Sequence, residues 1–457
     1  MGRTLRWEPI CPRLRRVQER ARAHPEEQFT SLAHLLDEGS LLRAYRGLRA
    51  DAAKGIDGES KASYGKGLAA RLQQLHERLR TGQYRAQPAK RATIKKADGS
   101  DRPLSIWCVE DKVVQGAVTE VLNSIFEADF RGLSYGFRPQ RSAHMALQAV
   151  QTVLQKGRVN WVLDLDLKQC FDRIEHEALR QAIRRRVTDR SLLRLIDKWL
   201  TVGVVEQDGK RTRQTCGTPQ GAPISPLLAN IVLHEAMDEV VVEWRRTAAR
   251  GEVYMVRYAD DAVLMFEHEE DAVALRAVLE TSLARYGLEM NVAKTRLLGF
   301  GRTPPGGGKS GSFDFLGFTH IAGQDRQGRY LVRRQTMAKR FRRSLTLARE
   351  WCRAHLHDPL RTQWAELSAK LKGHYAYYGV RGNMDALKRF RAAVRAIWIS
   401  VLMKRSQTSR LPVVVALVDT HFALPTPRIT HPDDWLPVSP GYLLGRAGCG
   451  KSARPDL

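Results

Sequence analysis

The sequence lacks long apolar runs. It contains no stretch of eighteen consecutive apolar residues, and its N-terminus has no short basic segment followed by an apolar core. A transmembrane helix needs about twenty predominantly apolar residues, and a secretory signal needs an apolar core after its basic start. We therefore expect no membrane partner and no secretory signal.

Cysteine is also scarce. The six cysteines are scattered, form no Cys-x-x-Cys pair and have no histidine cluster beside them. These spacings indicate neither a zinc ribbon nor a disulfide framework. We expect all six to be small buried side chains, and the protein to lie in a reducing, cytoplasmic compartment.

Acidic residues are fewer than basic ones. The 457 residues include 75 Lys plus Arg against 49 Asp plus Glu, so the formal net charge is +26. The excess is concentrated between residues 331 and 410, where 19 basic residues face 4 acidic ones. Such an excess predicts a polyanionic partner. The length predicts two or three domains, each with its own core.

Two of the few acids stand where acids are costly. Asp260 and Asp261 interrupt the apolar stretch VYMVRYADDAVLMF, and buried charge is unfavourable unless it is paired or binds a cation. A tight Asp-Asp turn between two strands would present both carboxylates at one end of a sheet, where they could share divalent cations. The alternative is a simple polar hairpin turn, since Asp is common in turns.

A third carboxylate could come from the other apolar strand that carries acids. The segment WVLDLDLKQCFD contains Asp164, Asp166 and Asp172. Residues 164 and 166 point to the same face of a strand, so spacing alone does not choose between them. Either one, together with Asp260 and Asp261, would complete a site for two metal ions.

Local patterns predict alternating helices and strands. Apolar periodicity and turn residues predict a β-hairpin at 88–107, helices within 110–156, a strand at 160–167, helices at 175–200 and 269–286, a loop at 301–311, a short strand in FDFLGF and a mostly helical region at 331–410.

Nine short motifs, read together, resemble the group II intron reverse transcriptase/maturase family. They occur in family order: GIDG (55–58), RPLSIWCVEDKVVQGAV (102–118), SYGFRPQRSAHMAL (134–147), VLDLDLKQCFDRIEH (162–176), GTPQGAPISPLLANIVL (217–233), VRYADDAVL (256–264), GLEMNVAKT (287–295), FLGF (315–318) and LKGHYAYYGVRGN (371–383). The resemblance implies an α+β fold: a right-hand polymerase with fingers, a palm of antiparallel sheet with packed helices, and a helical thumb.

The resemblance also implies a role for individual residues. The family's catalytic Asp stands five residues before an aromatic, here Asp166 before Phe171, so Asp164 becomes a neighbour and Asp172 a structural carboxylate. Asp166, Asp260 and Asp261 are then catalytic and bind two Mg²⁺ ions, with Mn²⁺ as the alternative metal. These ions activate a 3′-hydroxyl and stabilise the leaving pyrophosphate.

Further residues are implied to contact the nucleotide, the primer and the RNA. The nucleotide set comprises Arg102, Phe171, Gln220 and Lys294, with Lys95 or Lys96 as helpers; the primer grip comprises Phe315, Leu316 and Gly317; the RNA-binding set comprises Arg340, Arg342, Arg343, Lys372, Lys388 and Arg389. The ring of Phe171 would exclude a 2′-hydroxyl and so select dNTPs. The structural alternative for Lys95, Lys96 and Lys294 is that they are solvated surface lysines. For Phe171, Phe315 and the thumb aromatics, the structural alternative is packing in the core.

The domain division follows the motifs. We expect an N-terminal helical extension and the start of the fingers at 1–85, fingers and palm at 86–320, a thumb or maturase domain at 321–412, and a short tail at 413–457 without an endonuclease domain. The chain departs from the family at WCVEDK, where a proline usually follows Ile106, and at Ala222, where glycine is common. We expect activity to tolerate both changes.

The expected function is RNA-directed DNA synthesis that also serves an intron. The partners would be the intron RNA, which the protein helps to splice, an RNA template with a DNA primer, dNTPs and a DNA target; the protein would be a monomer or homodimer. A second hypothesis is a domesticated enzyme used in host DNA repair or phage defence. A third is a splicing-only RNA-binding maturase, which the three intact carboxylates argue against.

Overall fold

The computed structural model describes residues 11–95, 101–302, 310–405 and 408–431. The side chains at 95, 101 and 102 lie outside this description. So do Lys96 in the predicted hairpin tip, most of the predicted loop at 301–311, and the tail after residue 431. No helix in the described ranges is both long and apolar enough to cross a bilayer.

The N-terminal part combines helices with a hairpin. Its elements are α1 (Pro12–Ala23), α2 (Glu38–Gly47), α3 (Lys61–Tyr64), α4 (Leu68–Arg80), β1 (Ala89–Lys95), β2 (Asp101–Ile106), α5 (Val109–Asp129) and α6 (Ala143–Lys156), with a short 3₁₀ turn at Ala33–Leu35. Strands β1 and β2 pair antiparallel, with Lys90 opposite Ile106. The hairpin predicted at 88–107 is therefore confirmed. Two thirds of α5 is buried, so this helix forms the centre of the first core.

The middle part contains the central sheet. Its elements are β3 (Trp161–Leu165), α7 (Cys170–Arg173), α8 (His176–Arg184), α9 (Arg190–Thr201), β4 (Val204–Val205), β5 (Arg211–Thr212), α10 (Ser225–Leu233), α11 (Glu239–Thr247), β6 (Val253–Tyr258), β7 (Asp261–Phe266), α12 (Glu269–Ala284) and β8 (Arg296–Gly299), with a π-helical turn at His234–Asp238 between α10 and α11. The sheet has the order β6-β7-β3-β8 and is antiparallel throughout. A second sheet, β2-β1-β4-β5, extends the N-terminal hairpin.

Apolar residues cover both faces of the central sheet. Alternate residues of a strand point to opposite faces. Leu163 and Leu264 belong to the core shared with α5 and α10, whereas Val162 and Val263 belong to a second core shared with α6 and the C-terminal helices. Burial on both sides explains why these strands are nearly continuous apolar runs, and why acids within them need a specific reason.

The C-terminal part begins with strands and ends with helices. Its elements are β9 (Ser312–Phe315), β10 (Phe318–Gln324), β11 (Tyr330–Thr336), α13 (Ala338–Ala354), α14 (Leu360–Tyr378), α15 (Met384–Leu402) and α16 (Leu411–Thr420). The single strand predicted in FDFLGF is wrong, because the segment turns at Leu316 and Gly317, whose φ angles are 48° and 82°. Two consecutive positive φ angles in a two-residue loop are typical of the type I′ hairpin turn.

These three parts confirm the predicted α+β fold of a right-hand polymerase, with an antiparallel palm sheet and a helical thumb. The domain limits stay a proposal. Two of them, at 320 and 412, fall inside the continuous elements β10 and α16.

The prediction that every cysteine is buried is wrong in part. Cys108, Cys170 and Cys352 are buried, but Cys11 is only half-buried and Cys216 is exposed. Cys216 follows the polar β4–β5 turn region, and its backbone pairs with Glu175 in an isolated bridge. A cysteine in such a connection has little apolar surface to pack against. Cys449 lies outside the described residues.

A buried polar cluster fastens α5 to α9 and to the segment before β1. Asp111 on α5 is 1% exposed and accepts hydrogen bonds from the Tyr84 hydroxyl and from the Gln87 N–H, the latter at 3.3 Å. Trp199 on α9 donates its indole N–H to the Tyr84 oxygen at 3.1 Å. Burial raises the pKa of Asp111 to about 7, although the bond from Tyr84 acts in the opposite direction.

The raised pKa predicts a pH dependence of stability. Between about pH 4 and pH 7 the folded protein keeps the Asp111 proton that the unfolded chain releases, so this group's contribution is present at low pH and is lost as the pH rises through 7. The variant Asp111→Asn, which cannot ionise, should therefore gain stability relative to the wild type from pH 5 to pH 8, on the order of 2 kcal/mol. Urea unfolding at both pH values measures the gain. Glu280→Gln on the exposed face of α12 is the control, and an equal response of both variants would contradict the assignment.

Candidate active site

The central sheet brings three carboxylates to one end. Strands β6 and β7 are joined by a two-residue turn, with Tyr258 opposite Asp261. Strand β3 pairs with β7 so that Leu165 lies opposite Ala262, and Asp166, which directly follows β3, is near enough for its charge to act on Asp261. The tight Asp-Asp turn predicted from the sequence is confirmed. Ala259, its first residue, has a φ of 58°, which is uncommon for a residue with a side chain.

The carboxylates repel one another. Burial is the largest cause that raises the pKa of Asp261 to about 7, followed by the charges of Asp260, Asp166 and Asp164; the nearby charge of Arg340 acts in the opposite direction. Protein surrounds Asp261 on most sides, which explains the effect of burial. On the remaining side the residue is exposed to solvent. A cation entering from that side would relieve the repulsion.

The donor set fits hard divalent cations that are shared with a substrate. In the described ranges, no group of three or more His, Cys, Asp or Glu side chains is arranged to hold a metal ion by itself. Mg²⁺ usually binds one or two protein carboxylates and completes its shell with water and substrate phosphates. Three adjacent carboxylates at a solvent-exposed edge meet that requirement.

Asp166 is held from the opposite side by the turn that follows α12. Asn291 donates a side-chain hydrogen bond to Asp166 Oδ2 at 2.9 Å, and Lys294 Nζ lies 3.5 Å from the same oxygen. Thr295 Oγ1 accepts the Asp166 N–H at 3.3 Å. The structure thus brings Lys294, predicted from its motif, to a predicted metal ligand. Asp164 instead lies 3.3 Å from Arg296 on the neighbouring strand β8.

The loop before α10 connects the fingers sheet to the palm. Gln220 donates from Nε2 to Asp172 Oδ2 at 2.7 Å, while its backbone carbonyl accepts the Ser105 N–H at 2.6 Å. Gly221 has a φ of 105°, and a Cβ there would lie 2.6 Å from the Ser105 oxygen. Only glycine fits this close approach between two backbones. Gln220 is therefore fixed between β2 and α7.

The structure describes the side chain of one further predicted nucleotide-binding residue, Phe171, but not that of another, Arg102. Phe171 on α7 is half-buried against the first core, and its carbonyl accepts the Thr218 N–H at 2.6 Å. One part of the ring is thus free to face a substrate. Arg102 pairs through its backbone with Ile94 in the fingers hairpin, but its side chain lies outside the described residues, as do the side chain of Lys95 and all of Lys96.

The predicted primer grip forms the junction between palm and thumb. The Leu316 carbonyl accepts a hydrogen bond from the Tyr377 hydroxyl at 2.8 Å, and the Gly317 carbonyl accepts the Met337 N–H at 3.0 Å. Phe315 and Phe318 are buried, as the core-packing interpretation predicted. The hairpin tip is thus fixed to α14 and to the start of α13.

The predicted RNA-binding residues all lie on the thumb surface. The exposed set comprises Arg340, Arg342 and Arg343 on α13, Lys372 on α14, and Lys388 and Arg389 on α15. The aromatics between them face inward: Tyr375, Tyr378 and Trp398 are buried, and Tyr377 and Trp364 are half-buried. The expectation that these rings are mostly core is confirmed.

Comparison with known proteins agrees with this geometry. A model of the family "Reverse transcriptase (RNA-dependent DNA polymerase)" matches residues 94–320. Protein YkfC of Escherichia coli is 34% identical over 329 residues, covering 64% of this chain and 83% of YkfC. Group II intron-encoded protein LtrA of Lactococcus lactis is 35% identical over 240 residues, covering 51% of this chain and 39% of LtrA. The chain belongs to the reverse transcriptase family.

Its relatives include group II intron-encoded proteins, and its enzyme class is RNA-directed DNA polymerase. The match spans 39% of LtrA. Among solved structures, apo telomerase from Candida Tropicalis, truncated from the C-terminal domain, has a TM-score of 0.39 and 16% identity over 51% of this chain and 53% of that one.

A buried ion pair that the sequence analysis missed supports the Ala259–Asp260 turn of this reverse transcriptase. Arg257 on β6 and Asp238 are both 0% exposed, and the guanidinium bonds the carboxylate at 2.7 and 2.6 Å. Arg257 Nη1 also donates to Asn230 Oδ1 at 2.9 Å and to the Ala259 carbonyl at 3.0 Å. Burial acts to raise the pKa of Asp238, but the charge and hydrogen bonds of Arg257 hold it below its ordinary value.

The same cluster reaches the SYGF segment. Asn230 donates from Nδ2 to the Gly136 carbonyl at 2.7 Å, and a Cβ on Gly136 would lie 2.3 Å from the Ala259 N atom. Ala259 is thus held by Arg257 on its carbonyl and by Gly136 at its amide. A charged residue among the buried positions of β6 was the signal available in the sequence, but nothing there identified Asp238 as its partner.

Replacing both members of this pair should restore stability without restoring activity, whereas replacing Arg257 alone should lower both. Arg257→Met leaves Asp238 buried without its partner, and we expect it to lower the free energy of unfolding by about 3–5 kcal/mol. The double variant Arg257→Met with Asp238→Leu replaces both charges with apolar groups and should recover most of that loss. Primer extension should nevertheless stay low, because Ala259 and Asn230 still lack their donor. Urea unfolding and primer extension on both variants measure this, and full activity of the double variant would contradict the positioning role.

Proposed function

We propose that this reverse transcriptase binds the intron RNA that encodes it, assists its splicing and copies RNA into DNA by two-metal nucleotidyl transfer at Asp166, Asp260 and Asp261. One observation carries the catalytic part: the end of β3 and the β6–β7 turn place three carboxylates together at a solvent-exposed edge. When bound, Mg²⁺ or Mn²⁺ would supply the Lewis acidity that activates a 3′-hydroxyl and stabilises the departing pyrophosphate.

The chain's own residues position the reactants around these acids. Asn291 and Lys294 fix Asp166, and the exposed Lys294 ammonium can hold or give a proton to a leaving phosphate. Gln220, fixed between β2 and α7, borders the nucleotide on the fingers side. Arg102 would bind the triphosphate, since a guanidinium fork matches phosphate oxygens.

The acids are tested by one matched set of substitutions. Asp166→Asn or Asp260→Asn should abolish primer extension on an RNA template while RNA affinity stays near wild type, since metal ligands serve the chemistry and basic surfaces supply affinity. Asp164→Asn is the control: it lies on the same face of β3 but beside Arg296, so extension should persist. Near-normal extension by Asp166→Asn, or its loss only in Asp164→Asn, would show that the acids are wrongly assigned.

Phe171 provides a second test of the nucleotide site. If its ring excludes a 2′-hydroxyl, Phe171→Val should admit ribonucleotides, and discrimination against them should fall far more than dNTP turnover. Single-nucleotide incorporation with dNTP and rNTP gives both numbers. Thermal unfolding identifies a mere packing loss, because the ring also contacts the first core. Unchanged selectivity in a folded variant would leave Phe171 a core residue.

The thumb supports the RNA-binding part of the proposal. Six exposed cations lie on α13, α14 and α15, and the aromatic residues between them form the thumb's own core. Contacts between such cations and phosphates release counterions and make affinity steeply dependent on salt. Partners here are the intron RNA and the template-primer duplex. The DNA target, the oligomeric state and the cytoplasmic location stay predictions.

Two sets of substitutions that lower the net charge by the same amount test the thumb. Replacing Arg342, Arg343, Lys388 and Arg389 with Gln should lower the slope of log affinity against log salt by about 3 for an RNA ligand. The control set, Arg20, Arg49, Arg80 and Arg246, consists of arginines whose nearest partners are surface acids. Replacing these four should leave the slope nearly unchanged. Equal slopes for the two sets would contradict the thumb assignment.

A further inference from the structure

A second basic site lies further along the thumb. The C-terminal halves of α13 and α15 enclose a cavity of about 260 Å³. Arg349 and Arg353 line it from α13, Ser400 lines it from α15, and Lys404 lines it from the turn that follows α15. All four are exposed, so three cations and one hydroxyl converge on a space that solvent can enter.

These cations have no ionic partner among the residues that the structure describes, whereas their neighbours do. Lys370 lies 3.6 Å from Glu366, and Arg395 lies 2.5 Å from Asp419. Arg349 and Arg353 are four residues apart on one helix, a spacing at which like charges destabilise the helix. Three cations around one cavity therefore carry a cost that a bound anion would remove.

The floor of the cavity has the opposite character. Ala396, Ile397 and Val401 line it with apolar surface. A purely electrostatic surface for a polyanion needs no such floor. Cations at a rim with an apolar base match a nucleotide, which has a charged phosphate and a flat ring.

The cavity lies in line with the proposed RNA-binding set. The rings of Phe341 on α13 and Phe390 on α15 are 5.7 Å apart, close to Arg342, Arg343 and Arg389 in sequence. Since later residues of α13 face later residues of α15 at the cavity, the two helices run in the same direction. About ten residues of helix separate the two places, roughly 15 Å.

We propose that this cavity binds one unpaired nucleotide of an RNA strand held by the thumb, with its phosphate on Arg349, Arg353 and Lys404 and its base on the apolar floor. The proposal rests on the RNA-binding function proposed above. A paired base is buried in its helix and cannot reach the floor, whereas a base in a loop or single strand can. The site thus selects unpaired RNA next to the duplex that the rest of the thumb contacts.

The full-length protein tests this with two kinds of variant. The charge variant replaces Arg349, Arg353 and Lys404 with Gln; its matched control replaces Arg361, Arg381 and Arg410, three exposed thumb cations that do not line the cavity. The floor variant, Ala396→Leu, narrows the cavity above its apolar lining and keeps every charge. The probes are a twelve-nucleotide single-stranded RNA and the same sequence closed into a duplex.

We expect the charge variant to bind the single strand at least tenfold more weakly and to lower its salt slope by about 2. The floor variant should weaken single-strand binding at least threefold and leave the duplex unaffected. A 4-thiouridine in the single strand should crosslink to the segment 394–404 in the wild type and fail to do so in the floor variant.

Two outcomes would overturn the proposal. If the control triple weakens binding as much as the charge variant does, the cavity is ordinary basic surface. If the floor variant leaves single-strand affinity and crosslinking unchanged, no base enters. Primer extension on a preformed template-primer should stay within twofold of wild type in every variant. Its loss across all of them, with normal thermal unfolding, would instead point to the polymerase proposal.

Discussion

The buried ion pair between Arg257 and Asp238 is the constraint on which the palm depends. A fully buried charge pair contributes little net stability, since desolvation offsets its attraction. Its contribution here is to fix the orientation of the guanidinium. The pair fixes a guanidinium whose remaining N–H groups bond Asn230 and the carbonyl of Ala259, and Ala259 precedes Asp260, the first of the two acids in the turn. An apolar pair of the same volume would fill the space but would leave the turn without a fixed donor.

Close backbone contacts then position the neighbouring segments relative to the turn. Gly136 allows the SYGF segment to pack against the Ala259 amide, and Gly221 allows the loop before α10 to approach the Ser105 carbonyl. At both places a side chain would meet backbone atoms, which cannot move aside as a flexible side chain could. Fingers and palm are thus aligned by main-chain geometry, and the motifs that looked independent along the sequence form one continuous set of contacts around the acids.

Much of this could be predicted, and the failures have physical causes. Apolar runs interrupted by acids predicted a sheet with carboxylates at one end, and the motif order predicted the polymerase fold. Spacing could not choose between Asp164 and Asp166, because both point to one face; the choice depends on Arg296 and Asn291, which are more than 120 residues away in sequence. The FLGF turn was missed because Leu316 occupies a left-handed position where Asn or Gly is usual.

The division of charge between palm and thumb follows from the same arrangement. The palm acids repel one another, and their charges raise the pKa of Asp261. The positive charge of Arg340, at the start of α13, lowers it. That helix begins where it does because the FLGF hairpin is bonded to Met337 and Tyr377. The hairpin therefore sets the distance between a surface that attracts phosphates and a site that attracts cations. Because the thumb cations displace the counterions of a bound nucleic acid, the fold holds the phosphates on one surface and leaves the carboxylates as a separate site for added cations.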